Sequence, residues 1–147
     1  MTPKQMDELF AAARKVQQNA HARYSNYFVG AALVDEEGRL HVGCNVENAS
    51  YPEGCCAEAN AIGAMVAAGG RRIVAIAIVG DPGITGDKGV RFAGGAGRVS
   101  ACTPCGGCRQ RIREFADDAT RVLLVDNDGG ILKYGIDDLL PEGFYVE

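Results

Sequence analysis

Thr103-Pro104-Cys105-Gly106-Gly107-Cys108 is the stretch against which the rest of the chain is read, because its two cysteines are spaced for one metal ion or one disulfide. Thr103 suits a helix cap, Pro104 a first helical position, and Arg109 to Phe115 continues with helix formers. Both thiols are therefore expected at a helix N-terminus. There the macrodipole, worth about half a positive charge, favours thiolate.

The 147 residues amount to one domain, 1–147, large enough for a real core and too short for two. A net charge of −4, with Lys and Arg scattered rather than striped, disfavours a polynucleotide partner. No apolar run reaches the ~20 residues of a membrane span, and the N-terminus carries charges where a signal peptide needs an apolar run. A cytoplasmic protein is the expectation. In a reducing compartment six cysteines are better read as metal ligands or redox groups than as a disulfide framework.

Towards the N-terminus, Thr2 and Pro3 open an amphipathic helix with Met6, Leu9, Phe10, Ala13 and Val16 on one stripe, ending near Ala20. Phe28 to Val34 and Leu40 to Val46 read as a hairpin turning at Glu36-Glu37-Gly38. His21 and His41 are expected to be solvated edge residues. Asn45, Glu47, Asn48 and Tyr51 crowd a polar segment that serves either as a capped turn or as a pocket rim.

Cys56 to Ala68 is a second helix, rich in small residues and closed by Gly69-Gly70, and Arg72 to Val79 is a buried strand. The glycine-rich excursion from Gly80 to Cys102 is expected to be mobile, a lid or an interface loop. Two strands, Arg121 to Val125 and Ile131 to Tyr134, flank a turn at Asp126 to Gly130. This turn lacks the twelfth-position glutamate of a calcium loop. A short helix, Ile136 to Leu140, precedes the tail.

Two cysteines make half a metal site. Cys56 is the best third ligand on position, with Cys55 its rival, and three thiolates plus water would give zinc the open position of a catalytic centre. Glu58, two residues on, is then placed to carry protons. A ligand-x-Glu followed by Pro-Cys-x-x-Cys is the signature of zinc deaminases, and Cys56-Ala57-Glu58 with Pro104-Cys105-Gly106-Gly107-Cys108 matches its three-cysteine form.

Beyond the signature, Tyr24-Ser25 through Leu33, Gly43 through Ala49, Tyr51, Cys108-Arg109-Gln110 and Leu139-Leu140-Pro141 resemble the small homotetrameric cytidine deaminases. The resemblance covers nearly the whole chain except the Gly80 to Cys102 excursion. It implies one Zn2+ per subunit on Cys56, Cys105 and Cys108, and Glu58 as the group that moves protons between water, the pyrimidine N3 and departing ammonia. It also implies that Asn45 and Glu47 bind the ribose hydroxyls, that the Ala57 amide faces the base carbonyl, and that Tyr27 and Tyr51 line the pocket. Phe144 would pack on substrate from a neighbouring subunit of a homotetramer. The expected reaction is hydrolysis of cytidine and deoxycytidine to uridine and deoxyuridine, with a blasticidin-S type deaminase as the alternative.

Glu47 agrees with a free nucleoside, since a buried carboxylate repels a 5′-phosphate and suits hydroxyl donors. The expected fold is three-layered, helices on both faces of a mixed five-stranded sheet, with the two cysteine-bearing helix starts meeting at one edge. Two positions depart from the family pattern: Tyr27 stands where Phe is usual, and Ala59 where an Arg offsets thiolate charge. Helix dipoles and Asn60 are expected to take over from that Arg. A thiol-disulfide oxidoreductase would leave Cys56 and Glu58 unexplained, and a structural zinc module would close the metal with a fourth protein ligand.

Overall fold

The computed structural model describes residues 1–81, 101–126 and 128–147. The element order is α1 (Pro3–Gln17), β1 (Phe28–Asp35), β2 (Leu40–Cys44), a 3-10 turn at Tyr51–Glu53, α2 (Ala57–Ala67), β3 (Ile73–Asp81), α3 (Gly106–Glu114), β4 (Arg121–Val125), β5 (Ile131–Tyr134) and α4 (Ile136–Leu139). The five strands form one sheet in the order β2-β1-β3-β4-β5. β3 and β4 run parallel and the other neighbours antiparallel, so the sheet is mixed as expected.

Period-two alternation divides the core between the two faces of the sheet. Ala31 and Leu33 of β1, Ile76 and Ile78 of β3, and Val122 and Leu124 of β4 face α2, α3 and α4 through Ala57, Ala61, Met65, Ile112 and Ile136. Ala32, Ala75, Ala77, Val79 and Leu123 face α1 through Met6, Leu9, Phe10 and Ala13. Three layers result. On the α1 side the strands supply mostly alanine, and α1 comes down so far that a Cβ on Gly30 would lie 2.1 Å from the Ala13 carbonyl oxygen.

Thr2 caps α1 as read from the sequence: its hydroxyl accepts from the Gln5 amide and the Gln5 side chain accepts from the Thr2 amide. The helix stops at Gln17, three residues short of Ala20, and Gln17 turns inward to donate to the Phe28 carbonyl at 3.0 Å. The β1–β2 hairpin turns where expected, with Gly38 at φ +76°. Its Asp35 carboxylate is fully buried and accepts from the Glu37 and Arg39 amides and the Arg39 Nε at 2.8 Å. His41 Nε2 lies 2.8 Å from the same carboxylate, and His41 is 9% exposed. His41 is thus a buried partner of Asp35 and not the solvated residue expected; the carboxylate six residues upstream, brought alongside by the turn, draws it in.

Asp126 organises the last turn by accepting from the Asp128 and Gly130 amides, which agrees with the turn reading. The Gly80 to Cys102 excursion lies, between 82 and 100, outside the described residues.

Candidate metal and substrate site

The two cysteine-bearing segments meet at the end of the sheet where β1 begins and β2 and β3 finish. Cys56 is the N-cap residue of α2 and Cys105 that of α3. Thr103 therefore does not cap α3, and Pro104 precedes the helix rather than starting it; the Cys105 carbonyl takes the first helical bond, from the Arg109 amide. The two thiol-bearing caps accept nothing from their helices through their side chains, which leaves both sulfurs directed elsewhere.

α2 reaches its place because β2 carries Gly43 beneath it. A Cβ at Gly43 would lie 2.4 Å from the Ala61 nitrogen and 2.5 Å from the Ala57 carbonyl oxygen, so the absent side chain lets the helix rest on the strand. α3 is tied down by Arg109, whose Nε donates to the Pro104 carbonyl at 2.8 Å and whose Nη1 donates to the Leu139 carbonyl at 2.7 Å.

This docking brings the Sγ atoms of Cys56, Cys105 and Cys108 within 4.8 Å of one another. The set suits zinc: three soft donors from two rigid helix starts, converging on one point and leaving a fourth direction open. Cys56 is half-buried, Cys105 exposed and Cys108 fully buried. Cys55, the positional rival, is exposed and outside the group; its amide and carbonyl pair with Val46.

Glu58 is 5% exposed and sits beside the cluster, with Cys108 Sγ 3.7 Å from its Oε2. Burial pushes the Glu58 carboxyl above the usual range, and the neighbouring Cys56 charge adds to the effect. Cys56 and Cys108 interact through a side-chain hydrogen bond. The bond from Cys108 lowers Cys56 to about 6, and the same bond, then burial and the Glu58 charge, pushes Cys108 up. A buried carboxyl with raised pKa beside a cluster of thiols that could hold a metal is the kind of group a proton-transfer reaction needs.

A cleft of about 390 Å³ opens over this cluster, lined among others by Tyr27, Asn45, Glu47, Tyr51, Cys56, Ala57, Glu58 and Cys105. Asn45 bridges the start of β1, accepting from the Val29 amide at 2.8 Å and donating to the Tyr27 carbonyl at 2.8 Å. Glu47 accepts from the Tyr24 and Ser25 amides at 3.0 Å and from the Ser25 hydroxyl at 2.5 Å. Burial raises the Glu47 carboxyl, but these donors more than offset it and hold the group ionised, below its usual range. Both residues thus fasten the Tyr24 to Val29 segment while lining the cleft. Tyr51 is 76% exposed and meets the Tyr24 ring edge-on. Phe144 stands apart from the cleft at 72% exposure, its carbonyl accepting from Gln110 Nε2.

Asn60 does not face the sulfurs. Its Nδ2 donates to the Cys44 carbonyl at 2.8 Å, because β2 passes close beneath α2 and offers an acceptor. A cation does touch the cluster, and the sequence alone does not single it out: Arg111, whose Nη1 lies 3.5 Å from Cys108 Sγ. Its i, i+3 spacing from Cys108 on α3 was the available signal.

Among the described residues, no helix is long and apolar enough to cross a membrane. The chain matches the family described as the cytidine and deoxycytidylate deaminase zinc-binding region over residues 3–137. A cytidine deaminase of Sporosarcina psychrophila is 36% identical over 142 residues, which span 97% of this chain and 93% of that protein. The crystal structure of a cytidine deaminase from Burkholderia pseudomallei superposes with a TM-score of 0.78 at 38% identity, covering 98% of this chain and 100% of the other. One from Mycobacterium tuberculosis gives 0.73 at 31% identity, covering 96% and 98%. With three convergent thiols, a buried glutamate and a cleft above them, these likenesses place the chain in the cytidine and deoxycytidylate deaminase family.

Proposed function

We propose that this chain hydrolyses free cytidine and deoxycytidine to uridine and deoxyuridine with release of ammonia. The observation that carries the reading is the placement of buried Glu58 against the Cys56, Cys105 and Cys108 cluster at the floor of the cleft. Those three cysteines would hold Zn2+. The chemistry a bound zinc supplies in such a centre is Lewis-acid acidification of water.

The protein's own residues do the rest. In the reaction the C4–N bond breaks and a C4–O bond forms, so one proton of water ends on N3 and the other on the departing ammonia. Glu58 is the carrier for both transfers: it takes a proton from the attacking water, delivers it to N3, and moves the second to the amino group. Its burial pushes its carboxyl above the usual carboxylate range, which makes it a better proton acceptor than an exposed glutamate. The Ala57 amide, at the start of α2, binds the base carbonyl, and Tyr27 and Tyr51 flank the cleft. Asn45 and Glu47 retain acceptor capacity beyond the bonds they make to the β1 segment, and take the ribose hydroxyls with it. The ionised Glu47 rejects a 5′-phosphate, which favours nucleosides over nucleotides.

The assembly is a homotetramer in which Phe144 of one subunit closes the site of another. Its support is the exposed apolar tail, Phe144 at 72%, Tyr145 at 54% and Val146 at 89%. Ammonia release from cytidine, deoxycytidine, cytidine monophosphate and blasticidin S, measured for wild type and Glu58→Gln with zinc content determined on both, tests the reading. Turnover of the two nucleosides, lost in Glu58→Gln with zinc retained, is the expected result. Turnover of the monophosphate alone, or of blasticidin S alone, overturns it.

A further inference from the structure

Three thiolates around a divalent ion leave the centre at −1, and Glu58 adds a second anion when ionised. A negative ligand field opposes the acidification of water. The two helix N-termini contribute about half a positive charge each, which balances the metal set but leaves Glu58 uncompensated. Ala59 contributes nothing, and Asn60 is committed to the Cys44 carbonyl.

Arg111 supplies what is missing. It sits one turn beyond Cys108 on α3, and long helical side chains lean back towards the N-terminus, here onto the cluster. Nη1 lies 3.5 Å from Cys108 Sγ. The path is kept open by Gly107: a Cβ there would lie 3.2 Å from the same Nη1 and 4.0 Å from Cys105 Sγ, so the residue between the two ligands has no side chain where the guanidinium crosses. The charge reaches beyond Cys108, since Arg111 also interacts electrostatically with Cys56, Cys105 and Glu58.

We propose that Arg111 is the positioning residue and counter-cation of the three-cysteine centre, donating to Cys108 Sγ, fixing the direction of that sulfur and drawing electron density from it. The inference rests on the deaminase reading of Cys56, Glu58, Cys105 and Cys108. It assigns the role of the absent arginine beside Glu58 to a residue arriving from the other helix.

Cobalt substitution gives a readout apart from turnover, because the energy of thiolate-to-cobalt charge transfer falls when a thiolate loses a hydrogen-bond donor. Arg111 is exposed, so neutral Arg111→Met is compatible with the fold, and Arg111→Lys keeps the charge. In Arg111→Met the charge-transfer band should move to longer wavelength, and kcat of the zinc enzyme on cytidine should fall roughly 10- to 100-fold. KM and the melting temperature should stay at their wild-type values, and Arg111→Lys should recover much of both the band position and kcat. An unmoved band overturns the proposal, as does an unchanged kcat or a loss confined to KM. A wild-type protein that shows no thiolate band with cobalt refutes the metal centre itself. A wild-type band that Arg111→Met leaves in place refutes Arg111 alone.

Discussion

Replacing Gly43 with alanine should disable the site from a strand that contributes no metal ligand to it. The new methyl would stand 2.4 Å from the Ala61 nitrogen, 2.5 Å from the Ala57 carbonyl oxygen and 2.9 Å from the Asn60 carbonyl carbon. All three are backbone atoms of α2, so no rotamer change relieves the clash. Ordinary contact begins near 3.4 Å, and β2 is held on the other side by its pairing with β1, Gly43 opposite Ala31. The helix must therefore lift by about 1 Å, an overpacking strain that costs about 1–3 kcal/mol. Lifting α2 carries Cys56 and Glu58 with it while Cys105 and Cys108 stay on α3. A misplacement of this size at reacting groups costs about 100-fold in rate. Urea unfolding of the zinc-loaded protein and steady-state cytidine turnover measure the two effects separately. A Gly43→Ala protein with wild-type stability and wild-type kcat would refute the argument that this contact sets the height of α2.

Three further outcomes test the packing of the fold, the first two at the end of the sheet opposite the site. Asp35→Asn should destabilise the protein most at neutral pH. His41, the amides of Glu37 and Arg39 and the Arg39 side chain outweigh the burial that raises the Asp35 carboxyl, so its folded pKa lies below the unfolded one. Its contribution is complete above the unfolded value of about 3.9 and is lost as pH falls from there through the folded pKa, so urea midpoints of variant and wild type should converge in acid. Thr120→Val should cost about 1–3 kcal/mol by the same unfolding assay, since the fully buried hydroxyl donates to the Ile73 carbonyl at 2.7 Å and accepts from the Asp117 amide at 2.9 Å. Asn60→Ala should cost about 1 kcal/mol through its lost bond to Cys44 and leave the cobalt spectrum where it was; a shifted thiolate band would restore Asn60 to the cluster.

The elements were readable because the signals that specify them are local. The α1 stripe of Met6, Leu9, Phe10 and Ala13 is buried, and the alternation along β3 and β4 sorts their side chains to the two faces. The convergence of Cys56, Cys105 and Cys108 was readable for a different reason: two spacings, Cys56 to Glu58 and Cys105 to Cys108, each report one helix start, and the donor set zinc prefers suggests joining them. The failures share a cause too. Gln17 in place of Val16 at the inner end of α1, His41 against Asp35 and Asn60 against Cys44 each depend on an acceptor brought near by packing or by a turn. Asn60 and Arg111 illustrate this most directly. Each lies a turn beyond a ligand cysteine, where helical spacing allows contact with the sulfur. What decides between them is that β2 offers Asn60 a carbonyl, whereas the glycine at 107 leaves Arg111 a clear path to Cys108.

The arginines of α3 show how one short helix can be anchored and charged at once. Arg109, Arg111 and Arg113 are two residues apart, so successive ones point about 200° away from each other around the helix axis. Arg109 clamps the Pro104 and Leu139 carbonyls, Arg113 lies 4.5 Å over the Tyr145 ring, and Arg111 turns to Cys108. Anchorage of the helix is thereby separated from charge at the cluster. Losing Arg109 should loosen the seat of α3 and shift Cys105 and Cys108 together, whereas losing Arg111 should leave the helix seated and change the field at the sulfurs and the orientation of Cys108 Sγ. That division is why the Arg111 substitutions can report on the chemistry of the centre without disturbing its assembly.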